Sequence, residues 1–132
     1  MKTYVVAGGA GFIGSHVVER LLSEGNKVIC IDNLITGSES NASEFYSNSN
    51  FVFVDHDLIR GMPNVNGEVE GIFHLASPAS PNAKSPKSYI AHPIATLMVN
   101  SVGTRNVLEF GRQKKAKVIY ASSSEIYGDP SV

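Results

Sequence analysis

The sequence predicts an α/β fold, a doubly wound parallel sheet of five strands in the order 3-2-1-4-5 whose carboxyl-terminal part is missing. Three observations predict it. Five short apolar runs recur along the 132 residues, each near-continuously apolar rather than alternating, as strands buried on both faces are. Helical patterns and irregular stretches alternate with those runs, as right-handed crossovers between parallel strands require. The first run ends in a glycine cluster that turns straight into a helical pattern, and the second closes on an acid.

Taken in order, the strands are expected at about residues 3–7, 27–31, 51–54, 70–75 and 117–121. Between the first two, Phe12 to Glu24 places Ile13, Val17, Val18, Leu21 and Leu22 at helical spacing and stops at Gly25-Asn26. Asn33 to Asn50 is rich in Ser and Asn without a sustained period and reads as a loop with room for one short helix. Asp57 to Glu68 is broken by Gly61, Pro63 and Gly67, so the third crossover is abbreviated. Ser77 to Pro93 holds four prolines and begins at the carboxyl end of the fourth strand, where open α/β sheets place ligands. After Pro93, a residue suited to a first helical turn, Ile94, Leu97, Met98, Val102, Val107 and Leu108 repeat at helical intervals and predict one long helix over residues 93–114. No internal repeat or linker interrupts the chain.

A chain of this length makes one domain, residues 1–132. The formal net charge is −1, with 11 basic and 12 acidic residues scattered along it, so no electrostatic footprint for nucleic acid stands out. The densest basic group, Arg112, Lys114, Lys115 and Lys117, falls at a predicted helix end, where cations complement the dipole, and reads as a solvated terminus. Cys30, the single cysteine, lies inside an apolar strand and reads as an inert core residue of a cytoplasmic protein. No apolar stretch is long enough for a membrane span, and Met1-Lys2-Thr3 leads directly into a strand. His16, His56 and His92 are isolated and read as structural or solvated, and no group of His, Cys and acids has metal-ligand spacing; no metal is assigned.

The glycines Gly8-Gly9-Ala10-Gly11-Phe12-Ile13-Gly14 fit both G-x-G-x-x-G and G-x-x-G-x-x-G, and both readings share Gly11 and Gly14. Without a Cβ at Gly11, the backbone admits a pyrophosphate, while the amides that open the helix offer unpaired donors and the positive end of its dipole. Asp32, 18 residues after Gly14, stands at the tip of the second strand. There a carboxylate accepts both hydroxyls of an adenosine ribose and repels a 2′-phosphate, which favours NAD over NADP.

Four motifs in order then resemble the extended short-chain dehydrogenase/reductase family, the NAD-dependent sugar-nucleotide epimerases, dehydratases and decarboxylases with a Rossmann-type fold. They are the glycine run through Ser15-His16, the loop Asp32-Asn33-Leu34-Ile35-Thr36-Gly37, the helix Asn100-Ser101-Val102-Gly103-Thr104-Arg105-Asn106-Val107-Leu108, and Ala121-Ser122-Ser123-Ser124-Glu125-Ile126-Tyr127-Gly128-Asp129-Pro130. Within the family, His74-Leu75-Ala76-Ser77-Pro78-Ala79-Ser80-Pro81 looks most like the UDP-glucuronate decarboxylase branch, although Asn82 to Ser88 make a longer spacer before Tyr89 than that branch carries. The resemblance implies that Asp32 holds the adenosine ribose, that Asn33 and Gly37 line the adenosine pocket, and that Asp57 and Leu58 flank the adenine. It implies that Phe12 and Ile13 offer amides to the pyrophosphate and that Ala76 and Asn100 pack near the nicotinamide. It also implies that Ser123 bonds the sugar's 4-oxygen as it becomes a ketone, and that Glu125 moves a proton at C5 or orients the ring before carbon dioxide leaves.

The family's Tyr-x-x-x-Lys pair has no counterpart here: Tyr4, Tyr46, Tyr89, Tyr120 and Tyr127 are followed four residues later by Gly8, Asn50, Pro93, Ser124 and Ser131. The expectation is therefore the amino-terminal, NAD-binding portion of a longer UDP-glucuronate decarboxylase, inactive by itself and homodimeric when complete. A 4,6-dehydratase or 4-epimerase is the alternative within the family, and a non-catalytic dinucleotide-binding module the alternative of another class. The fifth strand is expected to be an open edge with an apolar flank.

Overall fold

The computed structural model describes residues 1–129 and 131; Pro130, which ends the fourth motif, lies outside the described residues. Strands β1 (Thr3–Ala7), β2 (Lys27–Asp32), β3 (Phe51–Asp55), β4 (Gly71–His74) and β5 (Lys117–Tyr120) form one parallel sheet in the order β3-β2-β1-β4-β5. The expected order 3-2-1-4-5 is the one observed. The register runs Thr3↔Lys27 to Ala7↔Ile31 between β1 and β2, and Val28↔Phe51 to Asp32↔Asp55 between β2 and β3, so Ala7, Ile31 and Asp32 all reach the same end of the sheet.

Because successive side chains of a strand point to opposite faces, the central strands bury two sets of residues. Val6, Val28 and Cys30 pack on one face against Val18, Leu21 and Leu22 of helix α1 (Phe12–Ser23). Val5, Ala7, Ile29, Ile31 and Ile72 pack on the other, against Val107 and Phe110 of the carboxyl-terminal helix. Burial of a single Val or Ile in either layer stabilises the fold by roughly 1.5–3 kcal/mol. Helix α1 ends where the sequence places its stop: Gly25 takes φ +76° and Asn26 N–H reaches the carbonyl of Leu21. The loop after β2 holds the one short helix for which there was room, α2 (Glu39–Ser43), and the third crossover shrinks to a 3-10 turn, Leu58–Arg60.

Three expectations need correction. The edge strands are not buried on both faces: Val52 of β3 is exposed, and on β5 Ile119 keeps 55% of its surface in solvent. An edge strand has one neighbour instead of two, and near-continuous apolarity does not reveal which strands lie at the edge. β5 is indeed an edge, and its apolar Ile119 shares a face with Phe73.

The long helix is not uniform. It runs as α3 (Pro93–Met98), a π-turn over Val99–Gly103, and α4 (Thr104–Lys114). The extra residue in the π-turn rotates everything after it, so Ile94, Leu97 and Leu108, expected on one buried face, are exposed, while Val107, Phe110 and Gly111 take the sheet side.

Lys114, expected in a solvated helix terminus, donates through Nζ to the carbonyls of Val65 and Gly67 at 2.7 and 2.9 Å and fastens the loop before β4 onto α4. Arg112 does what the charge pattern suggests and pairs with Glu109 on the surface at 2.7 Å.

Candidate functional site

Above the carboxyl ends of β1, β2 and β4 lies a cleft, the place where an open parallel sheet leaves room for a ligand. Six of the residues expected to hold a cofactor line it: Gly8, Asp32, Asn33, Asp57, Leu58 and Ala76. Ile35, Thr36, His56, Ser77 and Val99 line it too and went unmarked in the sequence.

Asp32 is the last residue of β2 and is 9% exposed. Its Oδ2 accepts the amide of Ala10 at 3.0 Å and its Oδ1 the amide of Leu34 at 2.8 Å. Burial pushes its carboxyl above the usual aspartate range, and these two amides pull it part of the way back. The carboxylate is thus fixed in orientation and retains lone pairs for a ligand. Ala10 also works in the other direction, its carbonyl accepting from the amide of Ser38 and from Nδ2 of Asn41, each at 3.0 Å. Gly37 closes the same corner, for a Cβ there would come within 3.0 Å of Asp32 Oδ1. Asn33 and Asp57 serve their own loops: Asn33 Oδ1 accepts the amide of Ile35 at 3.1 Å, and Asp57 Oδ1 accepts that of Ile59 at 3.1 Å and caps the 3-10 turn.

The glycines divide by cause. A Cβ on Gly14 would lie 2.8 Å from the carbonyl carbon of Gly8 and from Cα of Gly9, and closer still to the carbonyl oxygen of Gly8, so the close packing of α1 against the turn requires its absence. Gly11, the N-cap of α1 at φ −80°, meets only the Gly8 carbonyl oxygen at 3.3 Å. Internal packing therefore demands little at Gly11, and a ligand close to the backbone accounts for the glycine there. No side chain caps α1, which leaves the first-turn amides of Phe12 and Ile13 for an anion, while the Phe12 and Ile13 side chains are 80% and 65% exposed.

On the opposite rim, Asn100 sits in the π-turn. Its Nδ2 donates to Ser77 Oγ at 2.7 Å, and its Oδ1 accepts from the Tyr120 hydroxyl at 3.2 Å. Ser123 and Glu125 follow β5 on an exposed 3-10 turn, Ser124–Tyr127, and do not line the cleft; instead Ser123 Oγ donates to the Glu125 carboxylate. The long spacer is closed at its base, where Ser80 bridges Ser88 and the amide of Tyr89 reaches the Ser80 carbonyl at 3.2 Å. Cys30 is buried, its thiol pushed up to about 12 by burial first and the charge of Asp32 second, so it stays a neutral core residue. Among the described residues no cluster of His, Cys, Asp and Glu could hold a metal ion, and no helix is long and apolar enough to cross a membrane.

The pattern of the NAD dependent epimerase/dehydratase family matches residues 4–132. The chain is 40% identical over 131 residues to the UDP-glucuronic acid decarboxylase 1 of Danio rerio, covering 99% of this chain and 29% of that protein. It is 43% identical over 126 residues to the UDP-glucuronic acid decarboxylase 2 of Arabidopsis thaliana, covering 96% and 26%. Among solved structures, the Thermus thermophilus UDP-glucose 4-epimerase in complex with NAD superposes with a TM-score of 0.68 at 31% identity, over 92% of this chain and 37% of that one. The chain spans less than a third of the length of these two decarboxylases.

Proposed function

Since the chain belongs to the NAD dependent epimerase/dehydratase family, we propose that residues 1–132 form the NAD-binding domain of a nucleotide-sugar enzyme, and that the enzyme decarboxylates UDP-glucuronate. The substrate reading is supported by 40% and 43% identity, across nearly all of this chain, to two decarboxylases. The cofactor reading is carried by one observation, a buried carboxylate held by two amides at the strand-end rim of the cleft.

The residues fit NAD. Gly11 leaves a cradle that a side chain would fill, and the amides of Phe12 and Ile13 would bind the pyrophosphate there. Asp32 would accept the ribose hydroxyls and reject a 2′-phosphate, since like charges in a buried corner repel strongly. Gly8, Gly14, Asn33 and Gly37 shape the adenosine end, Asp57 and Leu58 would flank the adenine, and Ala76 and Asn100 would border the nicotinamide. When bound, NAD takes a hydride from the sugar and later returns it.

Ser123 would donate its hydroxyl hydrogen bond to the sugar's 4-oxygen as it becomes a carbonyl, which a neutral donor does without adding charge. Glu125 would exchange a proton at C5 or orient the ring for loss of carbon dioxide. A homodimeric assembly and a cytoplasmic location belong to the same proposal, the latter supported by the free, buried Cys30.

The test is to supply the intact protein with NAD and UDP-glucuronate and to follow carbon dioxide and the UDP-sugar product. Carbon dioxide release with formation of a UDP-pentose is the expected result. Inversion at C4 of a UDP-hexose would instead identify an epimerase, loss of water a dehydratase, and NAD binding with no turnover a binding module; each would overturn decarboxylation.

A further inference from the structure

The π-turn between α3 and α4 is closed by Thr104, whose amide and hydroxyl both reach the carbonyl of Val99, the hydroxyl at 3.3 Å. Because that hydroxyl spends its hydrogen on Val99, its oxygen is left to accept, and Nε2 of His74 lies 2.9 Å away. Nε2 must therefore carry the imidazole proton and donate, which leaves Nδ1 as a bare acceptor. His74 is 2% exposed, at the end of β4 beneath the ring of Tyr120, and its Nδ1 is the single buried side-chain nitrogen or oxygen without a hydrogen-bond partner among the described residues. An apolar residue would fill this position without leaving an acceptor unsatisfied, so the imidazole is retained at a cost in stability. What it gains is one bond, and that bond goes to the π-turn.

We propose that His74 is a positioning residue: through Thr104 it holds the π-turn in the register that sets Val99 against the cleft and aims Asn100 at Ser77 and Tyr120. The bond lies at the root of a short relay. Val99, whose carbonyl the relay grips, lines the cleft, and the next residue, Asn100, ties the cleft-lining Ser77 to β5. A regular α-turn here would rotate Asn100 by about 100° about the helix axis, away from Ser77. π-turns of this kind recur at functional sites because they aim side chains that a regular helix cannot. Burial also holds His74 below its ordinary pKa, which keeps the imidazole in the neutral form that the relay needs.

The consequence for ligand affinity rests on the reading of the cleft as an NAD site; the local geometry does not. The experiment therefore reads both in the intact protein, following the Asn100 side-chain amide and the His74 ring nitrogens by NMR and the NAD Kd by calorimetry. Thr104→Val removes only the hydroxyl. It is expected to shift the Asn100 amide and weaken NAD about tenfold, and Thr104→Ser to restore both. His74→Leu should reproduce the Thr104→Val change, with the double variant no worse than either, because both act through one bond. An Asn100 amide unmoved in Thr104→Val, a Thr104→Ser variant that fails to restore it, full additivity of the two losses, or a His74 proton on Nδ1 would each overturn the proposal. Wild-type protein that binds no NAD would overturn the cofactor reading, and the Asn100 amide would still decide the relay.

Discussion

Replacing Gly11 and Gly14 separately by alanine should dissociate binding from folding. Gly14 lies in the first turn of α1, where alanine is intrinsically favoured over glycine by about 1 kcal/mol. Opposing this, its Cβ would stand 2.8 Å from two backbone atoms of the Gly8–Gly9 turn and nearer still to the Gly8 carbonyl oxygen. A methyl group has no rotamer with which to escape, so the turn must move. Forced overpacking of this sort costs about 3 kcal/mol or more, which leaves a net loss of roughly 2 kcal/mol, or a fall in Tm of about 8 °C for a domain of this size. At Gly11 the same methyl group meets one atom at 3.3 Å in a backbone conformation open to any residue. A poorer N-cap and a less flexible unfolded chain, each worth up to about 1 kcal/mol, then nearly offset one another. Thermal unfolding of the two variants and NAD titration by calorimetry give the comparison. Gly11→Ala should melt within a few degrees of wild type yet bind NAD at least tenfold more weakly, a loss of about 1.4 kcal/mol. Equal loss of Tm in both variants, or wild-type NAD affinity in Gly11→Ala, would refute the assignment of Gly11 to the ligand.

Other outcomes follow from individual groups. Burial raises the Asp32 pKa, so the ionised form is the one the apo fold disfavours: its contribution to stability is fullest below the unfolded pKa and declines as pH rises through the folded one. NAD affinity should run the opposite way, weakening as pH falls through that raised pKa; an Asp32→Asn variant with the same pH profile as wild type would show that another group is responsible. Asp32→Asn should also narrow the preference for NAD over NADP, measured as the ratio of the two Kd values. Cys30, with its thiol pushed up to about 12, should resist iodoacetamide at pH 8 in the native protein and react in denaturant; rapid native alkylation would contradict its burial. Glu125→Gln in the intact enzyme should slow carbon dioxide release from UDP-glucuronate, and an unchanged rate would remove Glu125 from the chemistry.

How far the sequence reveals this molecule depends on the range of each interaction. The unit from β1 to Asp32 was legible because strand, turn and helix signals sit side by side, and the glycine spacing reports a local steric demand. The order of the strands followed from the same alternation. Ile119 and Val52 misled because apolarity measures what a residue prefers, not how many neighbours its strand has. The π-turn was invisible because a five-residue ring leaves no mark on a periodicity that drifts by one residue, and Ile94, Leu97 and Leu108 were assigned to the wrong face as a result. Within the site, Asp32 announced itself through its distance from Gly14. Ala10 and His74 did not, since a backbone amide has no letter of its own and the partner of His74 lies 30 positions away. Ser123 and Glu125 were legible through their motif alone; their surroundings add only that each binds the other.

The bonds that converge on Ala10 make cofactor preference inseparable from loop order. Its amide holds Asp32, and its carbonyl holds Ser38 and Asn41, so the turn after β1 and the loop after β2 form a single latch. Anyone seeking to convert such a protein to NADP would first remove the Asp32 carboxylate. That change would also unfasten the latch, leaving the Ala10 amide without its acceptor and the Leu34 turn without its anchor. A working redesign must therefore supply two things together, a cation for the new phosphate and a replacement acceptor for Ala10, and libraries that vary position 32 alone should yield proteins that lose one cofactor without gaining the other.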